Sequence, residues 1–348
     1  MNPVPAPLLR RTVLDVLTAW DMPADLAGIT AEVLVDTDLA GIDSHGVQLL
    51  PTYERLRGEL DLRARPTTVR ENRSSAVVDA GHGLGHPAAD FAMRLAIRKA
   101  AETSVGVASV VHSHHFGAAG YYAALAAEHG MLGMVTSSAN LPLGVPTGGR
   151  VPVLATNPIA FAAPTRRNPP FLLDMATTTV AANKVRVHGM TGRPLPPGWV
   201  FDAAGEPAQE AAALDGGGLS MLGGTAEMSS HKGYGLAMMA HILAATLVGG
   251  AFPAARPDDE PHDIGHFFLA LDPAAFRADG RFQDDLDDAI DLLHATPPAD
   301  PDRPVLVAGD PQAQARKCRT EEGIPLPDRL VELLRGVCSR AGVTFALA

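Results

Sequence analysis

The chain has 348 residues, 46% hydrophobic and 19% charged, which is enough apolar material for one large core or two to three smaller ones and excludes a disordered chain. Lys plus Arg is 28 against Asp plus Glu 39, a formal charge of −11, which repels phosphate backbones and leaves a small molecule, not nucleic acid, as the expected partner. Cys318 and Cys338 have neither disulfide-framework nor zinc spacing, and Arg10, Arg11 and Asp15 interrupt the N-terminal apolar residues, so a cytoplasmic protein without signal peptide or membrane role is expected.

In chain order, Leu8, Leu9, Val13, Leu14 and Leu17 recur at helical spacing and Ala24 to Ala40 repeats the pattern, predicting two helices over residues 7–40 with Gly41 as terminator. Asp43 or Ser44 caps a third helix to about Gly58, which puts His45 in a helix's first turn. A polar, Arg-rich stretch follows at 61–74. The pattern then changes to strands, SSAVVDA, VGVASVVH, MLGMVTSS, NPIAFAAP and PPFLLDMA, with helices over 87–102 and 117–129. Gly- and Pro-rich residues 189–230 read as long ordered loops. A helix at 232–248, a strand at HFFLALD, a helix at 282–294, a strand at PVLVAG and a terminal helix at 327–341 complete an α/β chain without internal repeats. The expected division is a helical unit of residues 1–72 plus 311–348, completed by the C-terminal helix, and an α/β unit of 73–310.

GHGLGH at 81–86 follows a strand and precedes a helix, but its G-x-G-x-G spacing is not the G-x-G-x-x-G that fits a pyrophosphate to a helix N-terminus. A tight strand-to-helix turn is the better reading. In HSHH at 112–115, strand alternation sends His112 and His114 to one face and His115 to the other or into the following turn. Imidazoles suit a metal, yet no local carboxylate or thiol joins them, and proton transfer is an equal use. His262 and His266 are four apart, but Gly265 favours a surface loop over a helical metal pair. Asp43-Ser44-His45-Gly46 sets a hydroxyl and an imidazole at a helix start; the plainer alternative is a capping Ser beside an exposed His. Asp174 ends a strong apolar strand, where it is either functional or an N-cap. His231-Lys232-Gly233-Tyr234-Gly235 puts a cation beside backbone open to a ligand, or else starts a helix with a solvated lysine.

Taken together, GIDSHG with Tyr53 following, HFGAAGYYA, the GGR at 148–150, TNPIAFAAP, LDMATT with Lys184 ten residues after its Asp, KGYGL, HFFLALDP and GDPQAQARKCRTEEGIPLP resemble the malate/L-lactate dehydrogenase type 2 family. Its relatives include ureidoglycolate, sulfolactate and 2,3-diketogulonate oxidoreductases and piperideine-2-carboxylate reductases. The resemblance runs from about residue 8 to 342. It implies a homodimer with a non-Rossmann sheet domain that binds NADH or NADPH. It assigns His45 as proton donor to a C=O or C=N group, Asp174 as the carboxylate that orients His45 and holds it protonated, and His115 as second acid/base candidate. Ser44, Leu49, Tyr53, Arg150 and Asn157 fall at the substrate. Asn140, Asp174, Met175, Ala176, Lys232, Gly309 and Asp310 fall at the cofactor, and no metal is implied.

One position departs from the family pattern. Most members carry an arginine four residues after the SHG histidine, whose guanidinium can clamp a substrate carboxylate; here that residue is Leu49. Either another cation, such as Arg150, takes over, or the substrate is a specialised one and not a simple 2-oxo acid. The competing reading from another class is a metal-dependent hydrolase or lyase built on His112, His114 and His115.

Overall fold

The computed structural model describes residues 3–139, 141–255 and 263–347. The chain opens with β1 (Pro3–Val4), α1 (Ala6–Ala19) and α2 (Ala24–Leu39), each helix preceded by a proline whose fixed φ sets the chain's entry. The third helix does not run from residue 44. Two 3-10 turns, Asp43–His45 and Val47–Leu49, come first, and α3 covers only Leu50–Leu56. Gly46, at φ −89° and ψ −148°, breaks helical geometry between them, so His45 sits in a tight turn and neither Asp43 nor Ser44 is a helix cap.

The central part runs β2 (Thr67–Glu71), β3 (Ser75–Asp79), α4 (Gly85–Thr103), β4 (Val105–Val111), α5 (Ala119–Glu128), β5 (Leu132–Ser137), β6 (Gly144–Val145), β7 (Ile159–Ala163) and β8 (Phe171–Met175). All residues of β2 are exposed, so this edge strand leaves no apolar alternation in the Arg-rich stretch. α6 (Ala182–Thr191) leads into the Gly/Pro-rich region, whose loops also hold the short strands β9 (Val200–Phe201), β10 (Pro207–Ala208) and β11 (Gly218–Ser220). Next come α7 (His231–Ala244), β12 (His266–Leu271), α8 (Phe282–His294), α9 (Asp310–Glu322), β13 (Ile324–Pro325) and α10 (Asp328–Ala341).

One expectation fails near the C-terminus, and one helix there goes unannounced. PVLVAG is a loop, turned back by the Val307 N–H on Asp310 Oδ2 at 2.7 Å and the Asp310 N–H on the Val307 carbonyl at 3.0 Å. The apolar pattern does not announce α9, because none of its residues is buried.

The seven-stranded sheet has the order β2-β3-β4-β12-β5-β7-β8. Only β3 and β4 run parallel; every other neighbouring pair is antiparallel. This is a non-Rossmann α/β sheet, in keeping with the spacing of GHGLGH. Because β12 and β7 alone reverse among the strands from β3 to β8, β3, β4, β5 and β8 point the same way and end on one edge of the sheet.

Side-chain alternation assigns the faces. A Cβ on Gly106 would lie 1.9 Å from the Ala96 carbonyl of α4, and one on Gly133 2.4 Å from the Ala123 carbonyl of α5, so both helices press backbone-close on one face. Thr136, three residues from Gly133, instead reaches the Ala240 carbonyl of α7 on the other face. A smaller sheet, β10-β9-β11-β6, forms beside it.

The main apolar cluster joins this sheet to α4 and α5. A second cluster draws on α1, α2, the 47–62 segment, Ile324, Leu326 and α10, including Leu334, Val337 and Cys338. We propose that these clusters mark the two units, 73–310 and 1–72 with 311–348.

Candidate active site

The imidazoles of His45 and His115 stack with ring centroids 5.6 Å apart and planes 25° from parallel. His45 hangs from the 43–45 turn, its Nδ1 2.8 Å from Ser44 Oγ. His115 follows β4, which ends at Val111 because His112 takes a left-handed φ of 52°. Strand alternation therefore stops before the HSHH cluster. His112 turns out to Asp79 Oδ2 at 3.0 Å, His114 turns into the interior, and His115 meets His45. The three imidazoles diverge, and among the described residues no group of three or more His, Cys, Asp or Glu is placed to share an ion.

Gly85 explains how this turn packs. Its N–H donates to the His115 carbonyl at 3.0 Å, and a Cβ there would lie 2.2 Å from the His114 carbonyl. GHGLGH is thus a tight turn whose last glycine seats the histidine segment. His266 lies buried in β12, not in a surface loop, with Nδ1 2.8 Å from Ser137 Oγ. His262 lies outside the described residues.

Tyr53, on α3 and 2% exposed, places its hydroxyl 2.8 Å from His115 Nδ1. The Gly117 N–H points at the same nitrogen at 3.3 Å. A backbone N–H can only donate, so Nδ1 is the acceptor, Tyr53 also donates to it, and the ring proton sits on Nε2. Burial holds His115 well below the ordinary imidazole range, and the nearby rings of His45, His86, His114 and His266 push the same way. Burial also lowers His45. His86, which the sequence pattern leaves as a turn residue, is fully buried in the first turn of α4, edge-on to Tyr53 at 5.6 Å, with neither ring nitrogen hydrogen-bonded. Burial drives its pKa down to about 3. A buried, neutral imidazole inside an apolar helix start leaves no periodic signal in sequence.

The structure does not join Asp174 to His45 within the chain. Asp174 Oδ2 accepts the Gly120 N–H of α5 at 2.7 Å, and burial raises the carboxyl to about 6 against that single hydrogen bond. Register sets the reason: Asp174 pairs with Ala160 on the face covered by α5, so its carboxylate secures the start of α5. Gly120 has no Cβ to collide with it, since one would lie 2.9 Å from Oδ2.

Three of the substrate candidates make contacts within the chain. Leu49 is half-buried: part of its side chain packs against the apolar cluster of the helical unit and part stays open. Arg150 lies beside Gly205 in the small-sheet region, its Cγ 3.1 Å from where a Cβ on that glycine would sit. Asn157 is fully buried and its Nδ2 donates to the Ala237 carbonyl at 2.9 Å, which makes it a tie to α7.

The expected cofactor residues fall on both sides of edge strand β8. On the α5 face, a cavity of about 1240 Å³ extends from Ile42 and Gly120 past Leu172 to Gly309 and Lys317. It exceeds the roughly 300–1,000 Å³ of ordinary small-molecule sites. Gln312 lines it, and its buried Oε1 has no partner, an acceptor suited to a ribose hydroxyl or an adenine amine. These features fit a dinucleotide. Gly309, at φ 108°, starts α9 against Pro170, while the Asp310 carboxylate is engaged by the Val307 N–H and His294 Nε2. On the other face, the Thr177 carbonyl after Ala176 takes the Leu222 N–H, and the Leu222 carbonyl takes the Gly233 N–H. That chain of contacts brings Met175 and Ala176 towards exposed Lys232 in the first turn of α7. Asn140 lies outside the described residues.

The sequence profile of the malate/L-lactate dehydrogenase family matches residues 4–335. The chain belongs to that family. It is 36% identical to the malate dehydrogenase of Pyrococcus abyssi, over 98% of this chain and 95% of that protein. It is 34% identical to the L-sulfolactate dehydrogenase of Methanothermobacter thermautotrophicus, over 97% and 96%. The solved malate dehydrogenase of Pyrococcus horikoshii superposes with a TM-score of 0.90 at 33% identity, covering 99% of this chain and 97% of that one. The Δ1-piperideine-2-carboxylate reductase of Pseudomonas syringae gives 0.85 at 28%, covering 97% and 100%. This malate/L-lactate dehydrogenase family member is accordingly an NAD(P)-dependent oxidoreductase, and the metal-dependent hydrolase is not favoured. No helix among its described residues is long and apolar enough to cross a membrane.

Tyr53→Phe removes the shorter of the two hydrogen bonds that fix the His115 tautomer. Losing one such bond is worth about 0.5–1.5 kcal/mol, so kcat should fall about two- to thirteenfold with cofactor Kd unchanged. Steady-state kinetics beside calorimetric titration of the cofactor checks both.

Proposed function

We propose that the enzyme reversibly reduces a C=O or C=N group of a small metabolite, with His45 as proton donor and NADH or NADPH as redox partner. The observation that carries this reading is the stacked His45–His115 pair. The nicotinamide, when bound, supplies the hydride. The chain holds the reducible group and moves the proton. Neutral His115 donates a hydrogen bond from Nε2 to the reducible oxygen or nitrogen, since its Nδ1 is engaged and its charged form is disfavoured. His45, whose Nδ1 meets Ser44 Oγ, delivers a proton in reduction and recovers it in oxidation. Asp174, Met175, Ala176, Lys232, Gly309 and Asp310 are proposed to hold the cofactor across the edge of β8, and Asn140 joins them on resemblance alone.

The relatives' names support a small hydroxy or oxo acid, or a cyclic imine, as substrate. Leu49, which cannot pair with a carboxylate, favours a specialised member of that class, one presenting a neutral or apolar group to it. We further propose a homodimer, for which Val187 and Met190 of α6 and Met239 and Ile242 of α7 offer exposed apolar surface, and a cytoplasmic location, which suits two free cysteines. Nicotinamide absorbance with both reduced cofactors against 2-oxo acids, cyclic imines and uncharged ketones tests the reading; no turnover across all three classes sinks it.

His45→Ala should lower kcat by about 10² to 10⁴ with cofactor affinity nearly unchanged. Because burial lowers the His45 pKa, reduction, which needs the imidazolium, should lose rate as pH rises through a value below 6.5, and oxidation should gain rate through the same value. A greater kcat loss in His115→Ala would reverse the two roles.

Lys232→Ala should weaken cofactor binding by about 1–3 kcal/mol, as expected for a lost charge-assisted hydrogen bond. Equal calorimetric affinities in parent and variant would remove Lys232 from the cofactor site.

Oxaloacetate and pyruvate should be poor substrates of the parent. Leu49→Arg should improve them by up to roughly 1.5–3 kcal/mol in kcat/KM and harm the natural substrate through an unpaired charge. A parent kcat/KM near 10⁵ M⁻¹s⁻¹ for either acid, in the ordinary enzyme range, would mean that another cation clamps the carboxylate.

A further inference from the structure

Asp38 is an acid in the last turn of α2, 2% exposed, one turn before the segment that carries His45. Its Oδ2 accepts the Val47 N–H at 2.9 Å, on the far side of His45. Its Oδ1 fills the space beside Gly46: a Cβ on that glycine would lie 1.9 Å from Oδ1 and 2.6 Å from Oδ2. From outside, Arg319 of α9 donates to the Asp38 carbonyl at 2.6 Å and pairs with the Asp43 carboxylate. The His45 N–H closes the turn on the Ile42 carbonyl at 3.0 Å.

We propose that Asp38 is the positioning residue of His45, a buried carboxyl that fixes the backbone on which the imidazole hangs, with Gly46 as its necessary partner. A surface turn with two short 3-10 segments has few bonds of its own, and a displacement of about 1 Å at a reacting group can cost 10²-fold in rate. Asp38 supplies the missing constraint from beneath. Burial raises this carboxyl to about 7, with the Asp43 charge adding to that and the Val47 N–H and Arg319 opposing it. Arg319 extends the same clamp to α9, whose first turn is the Gly309–Asp310 segment at the cavity.

This inference rests on the reading of His45 as proton donor, and a double-mutant cycle separates the two. Asp38→Ala should lower kcat ten- to a hundredfold with cofactor Kd unchanged, Gly46→Ala should do likewise by displacing the carboxyl, and Asp38→Asn, which keeps the acceptor, should recover most of kcat. In a His45→Ala background, Asp38→Ala should have no further effect on kcat. If His45→Ala leaves kcat intact, the functional reading fails. If His45→Ala lowers kcat but Asp38→Ala adds its full effect to it, or Asp38→Asn is as poor as Asp38→Ala, the positioning role fails.

Should Asp38→Ala not fold, Asp38→Asn and Gly46→Ala carry the same test, with thermal melts as an independent readout. The folded pKa of Asp38 is raised, so the native state binds the extra proton and the parent loses stability as pH rises towards 7. Asp38→Asn should therefore raise Tm relative to the parent more at pH 8 than at pH 5. An equal difference at both would show that the buried acid is not held as described.

Discussion

Backbone laid directly on backbone is the constraint from which the rest of this structure follows. At Gly106 and Gly133 the helices α4 and α5 approach the sheet so closely that a single Cβ would overlap a carbonyl. Small residues then fill the interface, and the cluster beneath is largely alanine, from Ala88 and Ala92 to Ala123 and Ala126. Such packing tolerates no change in spacing. It sets where α4 and α5 begin, and the segment between β4 and α5 is the one that carries His115. Gly85 at the start of α4 completes the arrangement by holding the His115 carbonyl.

Strand direction does the remaining assembly. β12 and β7 come late or reversed, yet they leave β3, β4, β5 and β8 ending on one edge. That edge gathers the imidazole cluster, the start of α5 and the Asp174–Ala176 segment without a parallel doubly wound sheet. Asp174 then belongs to the architecture of α5 as much as to chemistry, because its carboxylate holds the helix whose first residues follow the His115 turn.

The site's electrostatics are set by desolvation and imidazoles. His86, His115 and His266 are all driven towards the neutral form, and Tyr53 is buried beside them. Burying an unpaired charge among such neutral groups is costly. Burial lowers His45 as well.

Much of this was readable in the residues themselves. Apolar alternation located the strands β3, β4, β5, β7, β8 and β12, the helical spacing located α1, α2 and α8, and the glycine spacing of GHGLGH excluded a Rossmann turn, because periodicity and φ preference are local properties. Helix α9 and edge strand β2 were silent because an exposed element has no apolar stripe to show. The partners of the functional groups were silent for a different reason. Tyr53 and His115 are 62 residues apart, Gly120 and Asp174 54, and Arg319 and Asp43 276. No sequence spacing encodes such contacts, and nothing in LDMA announces that the Asp174 carboxylate takes the Gly120 N–H of α5. The sequence by itself singled out the candidate residues for the chemistry; only the tertiary structure decided which of them touch, because hydrogen bonds and desolvation depend on distances that the fold creates.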